Sequence, residues 1–277
     1  MDSQKIKNNI TDDIADTLYI PLAMKCKEIK RKNPFYFDPY SCEVMDKIDY
    51  DFSKYSKAIK SSIGVAIRAN YFDGIVKDFI ENNTNTVIIH LGCGLDTRFL
   101  RLGKSTTDKC IFYEVDLPEV ITLRKNLLPE TSNNPFIAAS MFETEWMDNL
   151  VTKHKTARFM IIAEGVFMYF ESGQIKEVIQ NIGKRFHNSK LVFDAVNSWM
   201  CKNSHRHDTV KLTNARFKFA LDEPRLITQW VSNINLETVK LFSECEEWWK
   251  AGITINILMR VFPFLKNSSR MLTYNIG

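Results

Sequence analysis

Gly92 and Gly94 close an apolar run in the stretch TVIIHLGCGLDTR, and Asp116 closes the next apolar run, CIFYEVD, 22 positions after Gly94. β-Branched residues 87–89 in a short run bounded by polar ones read as a buried strand. Asp96 or Thr97 is then suited to cap a following helix. Strand, glycine turn and helix together make a nucleotide-type site, because glycine lets backbone approach a ligand and the helix start offers unpaired N–H groups. An acidic side chain ending the second strand of such a fold lies beside the crevice, where it can accept from both hydroxyls of a ribose. Either feature alone serves an ordinary turn or cap; the pair at this spacing points to a nucleoside. Thr97 occupies the position where a GxGxxG fingerprint needs its third glycine, which disfavours a pyrophosphate cofactor. A third acid, Glu164, closes the run RFMIIAE and would face cofactor or substrate; its bare chemistry also allows a general base.

The elements that must hold these residues follow from periodicity. Strands are expected at 87–89, 110–116, 134–139, 158–168, where the buried run stops at Glu164, and 190–196, with two final antiparallel strands at 236–242 and 271–276. Helices are expected at 14–29, 59–80, 99–102, 118–128, 142–150 and 174–186, with one around 248–249 and a loop at 106–109. Pro21 marks a kink or a helix start. Residues 1 to about 13 read as a loosely held tail. Residues 197–222 are polar, basic and aromatic, and too long for an ordinary connection, so they read as a helical lid over the crevice. The pattern is an α/β chain with a Rossmann-like sheet, a single domain spanning 1–277 with an N-terminal helical extension over 1–80 and the lid at 197–222.

Composition narrows the classes. With 45% hydrophobic residues there is material for a core, which argues against global disorder. A net charge of +4 does not demand nucleic acid but suits an anionic small substrate. Lys27, Lys30, Arg31 and Lys32 read as a solvated face. Cysteines at 26, 42, 93, 110, 201 and 245 form no CxxC pair and no zinc spacing, a pattern expected of reduced thiols in a cytoplasm. Cys93, inside the glycine turn, reads as a small filler. The most apolar stretch, 253–265, is broken by Asn256, Arg260 and Pro263, and the polar start MDSQKIKNNITDD lacks a signal-peptide core. A soluble cytoplasmic protein with no membrane and no nucleic-acid partner is the expectation; no feature indicates an oligomeric state.

LGCGLDTRFLRL, YEVDLPEVITLRKNLL and AEGVFMYF together resemble the leucine carboxyl methyltransferase family, within it the branch of tetracenomycin-type polyketide O-methyltransferases, over most of the chain from about Thr17. The resemblance implies a class I methyltransferase sheet, S-adenosyl-L-methionine (SAM) as cofactor and methyl transfer to oxygen. It implies that Arg68, in RANYFD, binds the SAM carboxylate with its guanidinium fork, and that Glu164 meets the SAM ammonium end. Tyr169, just beyond Glu164, is placed to help wall the substrate pocket. Lys25 falls where the family pattern PLxxR carries an arginine, so a bidentate fork is lost there. Ser140-Met141 stands where the family has an Asp-Leu pair toward adenine; a serine can still accept a hydrogen bond and a methionine still packs. With no Ser-His-Asp set, no HExxH and no paired catalytic carboxylates, the chemistry is alignment of a nucleophile with an already electrophilic methyl group. A carboxylate nucleophile needs no base, whereas a phenol does. His205, Arg206, His207 and Lys211 in the lid are the groups to attract an anionic small-molecule acceptor. The alternatives to a carboxylate-methylating enzyme are a phenolic O-methyltransferase, a protein C-terminal carboxyl methyltransferase, a non-catalytic SAM-binding protein, and an NAD- or nucleotide-sugar-linked Rossmann enzyme that Thr97 counts against.

Overall fold

The computed structural model describes residues 5–7 and 10–277. In chain order these form β1 (Ile6–Lys7), α1 (Tyr19–Ile29), α2 (Pro39–Asp46), β2 (Ile48–Asp49), α3 (Ile59–Glu81), β3 (Thr86–Leu91), α4 (Arg98–Leu102), α5 (Lys104–Thr107), β4 (Cys110–Asp116) and α6 (Pro118–Leu127). They continue with β5 (Phe136–Ala138), α7 (Glu145–Lys153), β6 (Arg158–Ala163), α8 (Ser172–Arg185), β7 (Ser189–Val196), α9 (Ser198–Lys202), α10 (Leu226–Trp230), β8 (Ile234–Leu241), α11 (Ile253–Val261), α12 (Pro263–Lys266) and β9 (Ser269–Ile276). Seven strands make one sheet in the order β5-β4-β3-β6-β7-β9-β8. The first five are parallel, and β9 inserts antiparallel between β7 and β8. The chain enters this sheet at β3, runs outward through β4 and β5, and returns to the other side of β3 at β6. Strand order therefore reverses between β3 and β6, and a crevice opens there at the carboxyl ends of the strands.

The central strands are buried on both faces, which explains their largely apolar sequence. Val87, Ile89 and Leu91 of β3 pack on one side with Ile161, Phe193 and the Ile175–Val178–Ile179–Ile182 stripe of α8. Ile88 points the other way, with Phe112, Met160, Ile162 and Val192, onto Ile63, Phe72 and Val76 of α3. A fully buried side chain of this size contributes about 1.5–3 kcal/mol. α3 is thereby fixed across the sheet, with Arg68 carried toward the crevice.

Several boundaries differ from expectation for physical reasons. Pro21 sits in the first turn of α1, where a missing N–H costs nothing, so it starts the helix instead of kinking it. Of the tail expected over 1–13, residues 1–4, 8 and 9 lie outside the described residues. Ile6 and Lys7 pair in parallel with Ile48 and Asp49, and the Thr11 hydroxyl donates to Glu119 at 3.0 Å, so the described part is docked. The fourth strand ends at Ala163, because Gly165 turns the chain at φ +71°. Residues 104–107, partly read as loop, form the single-turn α5. Residues 197–222 are only partly helical: α9 is followed by two one-turn 3₁₀ segments and then extended chain. α11 and α12 fill the stretch beyond the 3₁₀ turn at Glu246–Ala251, where no helix was expected after 249.

The cysteine expectation is corrected at one pair. Cys26 of α1 and Cys42 of α2 are joined by a disulfide across 16 residues, with Cα atoms 4.9 Å apart. A spacing of this length carries no local signal; the pairing arises because α1 and α2 pack side by side. Cys93, Cys110, Cys201 and Cys245 are free. Among the described residues no helix is long and apolar enough to cross a membrane.

Candidate active site

The crevice is a cavity of about 950 Å³ lined by strand ends on one side and by α1, α3, the 199–217 segment and α11 on the other. Gly92, Gly94, Asp116, Ser140, Met141, Glu164, Tyr169, Arg68, Lys25 and His207 all line it. His205 and Lys211 are exposed and do not; the lid turns them outward because the buried side of its short helical turns is taken by Ser204, Thr209 and Val210.

The glycine turn is built by its neighbour strand. The Gly92 N–H donates to the Val115 carbonyl at 2.8 Å, and the Gly94 N–H donates to Asp116 Oδ2 at 2.7 Å. Gly92 has φ +60°, and a Cβ there would lie 2.6 Å from Val166 Cγ2, so only glycine closes this turn. The Leu117 N–H holds Asp116 Oδ1 at 2.8 Å. Each carboxylate oxygen thus keeps acceptor capacity beyond these bonds, on a residue that lines the cavity. Burial pushes the Asp116 carboxyl above its usual range against the pull of those two N–H groups. Beneath the turn, Arg124 donates to the carbonyls of Gly94 (3.0 Å) and Asp96 (2.8 Å) and pairs with Glu114 at 2.8 Å, whose other oxygen meets His90 Nδ1 at 3.1 Å. Cys93 is buried and its thiol is pushed well up by that burial, so it is inert filler.

The other end of the crevice is an ion-pair network that joins five segments: α1, α3, the turn and α4, the end of β6, and β7. Arg68 Nε lies 3.0 Å from Glu164 Oε1 and its Nη1 lies 3.1 Å from Asp194 Oδ2. Glu164 Oε2 accepts from Arg98, whose Nε lies 2.7 Å from Asp73. Arg101 bridges Asp73 at 2.6 Å and Asp96 at 2.6 Å, and Asp96 also pairs with Lys25. Burial alone would raise the Glu164 carboxyl, but the Arg98 and Arg68 guanidiniums outweigh it and bring the group down to about 2. Asp194 also accepts the Gly165 N–H at 2.5 Å; burial nevertheless raises its carboxyl. Glu164 is therefore an ionised anchor at any ordinary pH, and the free general base that its position allowed in isolation does not exist.

Tyr169 stands beyond Glu164, buried, with its phenol pushed up to about 12 and its ring 5.4 Å from that of Phe217. It is a neutral wall. His207 lies against the same Phe217, with its Nδ1 3.2 Å from the Thr209 hydroxyl. Burial pulls its imidazole below the usual value in spite of Asp208, so it is uncharged at neutral pH. Ser140 accepts the Phe142 N–H at 3.3 Å and, with Met141 and Phe142, forms the wall beyond Asp116.

Sequence reasoning missed Asp194, Asp73, Arg98, Arg101 and Asp96 as parts of this constellation. Asp194 had a signal, an acid inside the apolar strand KLVFDAV; Asp96 reads only as a helix cap, and Asp73, Arg98 and Arg101 have no partner in that reading. The wall made by Ile255, Leu258 and Met259 of α11 was missed altogether.

A family model described as leucine carboxyl methyltransferase matches residues 14–183. The chain is 27% identical over 270 residues to the tetracenomycin polyketide synthesis O-methyltransferase TcmP of Streptomyces glaucescens, covering 94% of this chain and 96% of that one. It is 26% identical over 278 residues to the S-adenosyl-L-methionine-dependent methyltransferase dpfgK of Gibberella zeae, covering 92% of each. Its fold is shared with a solved geranyl diphosphate methyltransferase, at a TM-score of 0.51 and 12% identity over 75% of this chain and 77% of that one.

Proposed function

This chain belongs to the leucine carboxyl methyltransferase family and is a SAM-dependent methyltransferase; from that premise we propose that it methylates a carboxylate oxygen of a small, anionic secondary-metabolite-type acceptor. SAM supplies an electrophilic methyl group, and the residues fit it. A glycine turn without room for a Cβ and Asp116, with acceptor capacity left on each oxygen, suit the adenosine; Ser140 and Met141 suit the adenine side. Arg68, Glu164 and Lys25 suit the amino-acid end. Residues 197–222 then act as a lid, within one catalytic domain.

The carboxylate assignment rests on one observation: the acidic side chains lining the cavity around the methyl-transfer end are already engaged. Glu164 is held by Arg68 and Arg98, Asp194 by Arg68 and the Gly165 N–H, Asp96 by Lys25 and Arg101, and Asp208 by the Ser61 hydroxyl. Each already accepts from a cation or another donor, and a carboxylate nucleophile needs no base because it gives no proton up. Exposed Lys57, Lys60 and Arg206 line the cavity and favour an anion. His207 favours a second reading. A neutral imidazole in the cavity is a competent base, and it would serve a phenolic acceptor.

The rate profile above pH 7 separates the two poorly, because burial lowers the His207 pKa and leaves it mostly neutral there. The discriminating measurement pairs product chemistry with His207→Gln, using aromatic carboxylic acids and the corresponding phenols as acceptors and S-adenosylhomocysteine release as the readout. Carboxylate methylation gives a product cleaved by mild alkali and a variant within about threefold of the parent. Phenol methylation gives an alkali-stable product and a variant slower by about 10²–10⁴; that result overturns the carboxylate assignment.

A further inference from the structure

Apolar side chains are concentrated on the outer surface of the α11–α12 segment. Ile253, Ile257 and Val261 repeat every fourth residue along α11 and are 77%, 54% and 63% exposed. Phe262 and Phe264 follow at 42% and 41%, their rings 5.6 Å apart, and Trp199 of α9 extends the patch with its ring 4.9 Å from that of Phe264. Scattered exposed apolar residues need no explanation, but a continuous stripe joining two segments does. It is not the inner face of the helix, since Ile255, Leu258 and Met259 supply the cavity wall. Charge completes the pattern. Residues 253–266 carry no Asp or Glu, while Arg260 and Lys266 flank the stripe and are exposed. An amphipathic helix with aliphatic and aromatic groups on one side and only cations at its edges is the composition that lies in a lipid headgroup layer.

We propose that the outer face of α11–α12, extended by Trp199, docks on an anionic lipid surface, with Ile253, Ile257, Val261 and the two phenylalanines entering the acyl boundary and Arg260 and Lys266 meeting the headgroups. At 13 residues the apolar stretch is too short to span a bilayer, and it lies in the plane of the interface instead. Docking there sets one wall of the acceptor cavity against the lipid, a position from which a lipophilic acceptor reaches the enzyme without crossing water. This goes beyond the assignment of methyl transfer and does not depend on it; it also revises the expectation that no membrane is a partner.

Sedimentation of the full chain with vesicles of phosphatidylcholine alone and of phosphatidylcholine with 30 mol% phosphatidylserine tests it. The proposal expects binding to the anionic vesicles, at least tenfold weaker binding to the zwitterionic ones, and loss of the difference in about 1 M salt. The double variant Ile257→Asp, Val261→Asp should bind at least tenfold more weakly, and its SAM affinity, measured by calorimetry, should match the parent because neither residue lines the cavity. Arg260→Glu with Lys266→Glu, which leaves the apolar stripe intact, should remove the preference for anionic lipid; it keeps the test decisive if the first variant fails to fold. Absence of binding to either vesicle overturns the proposal. So does a chain that light scattering shows to be a dimer dissociated by the aspartate variant, with no vesicle binding, since the stripe is then a contact between copies.

Discussion

Replacing Glu164 by glutamine, the neutral counterpart of the protonated carboxyl, removes one negative charge from the centre of the buried network while keeping its volume. In the folded chain the Glu164 carboxyl, which burial alone would raise, is brought to about 2 by Arg98 and Arg68, against an ordinary value of 4.5. The group is depressed on folding, so its contribution is fully present above about pH 4.5 and is lost as pH falls toward 2. A difference of this size corresponds to about 3 kcal/mol at neutral pH. That is in keeping with the cost of breaking a buried ion pair whose cations keep other partners, here Asp194 for Arg68 and Asp73 for Arg98. For a chain of this length the melting temperature should fall by about 5–10 °C. Urea unfolding of parent and variant from pH 7 to 3.5 measures the gap directly. It should stay constant down to about pH 5.5, then narrow by roughly 1 kcal/mol or more by pH 3.5, because the glutamine titrates nothing. A gap below about 1 kcal/mol at pH 7, or one that does not narrow in acid, refutes the assignment of Glu164 as an ionised anchor held by two arginines.

Three further outcomes are expected. Asp116→Ala removes the acceptor proposed for both ribose hydroxyls and leaves the Gly94 N–H without its partner; charged hydrogen bonds of this kind contribute roughly 1.5–3 kcal/mol, so SAM affinity by calorimetric titration should fall about ten- to a hundred-fold, and an unchanged value removes the ribose assignment. Gly92→Val places a branched side chain at φ +60° and drives its Cβ into Val166, so the variant should lose roughly 2 kcal/mol or more of stability and all measurable SAM binding; normal binding would mean the cofactor site lies elsewhere. Cys42→Ser opens the 16-residue loop closed by Cys26, and chain entropy puts the loss at up to about 3 kcal/mol, visible as a lower melting temperature that a thiol reductant reproduces in the parent but not in the variant.

Legibility in the sequence follows the range of the forces involved. The strands β3, β4, β6 and β7 and the helices α3 and α8 were readable because burial of one face or both imposes a period on neighbouring residues. Gly92, Gly94, Asp116 and Glu164 were readable for a related reason. Each sits where a strand gives way to a turn, and an open α/β sheet brings all such ends to one crevice. A local signal and a topological rule were enough to collect four residues spread over 73 positions, from Gly92 to Glu164.

What the tertiary structure alone decided is how charges and thiols far apart in the chain divide one another's attention. Arg68 meets Asp194 across 126 residues, Arg98 meets Glu164 across 66, and Arg101 meets Asp73 across 28. No periodicity encodes such partners, and they convert Glu164 from an available base into a fixed anion. The Cys26–Cys42 bond, the outward turn of His205 against the inward one of His207, and the α11 wall are of the same kind. A hydrophobic pattern records which face of an element is buried, but not which distant face covers it; pairing, and with it the fixed charge of Glu164, is settled only when helices α1, α3 and α4 converge on the strand ends.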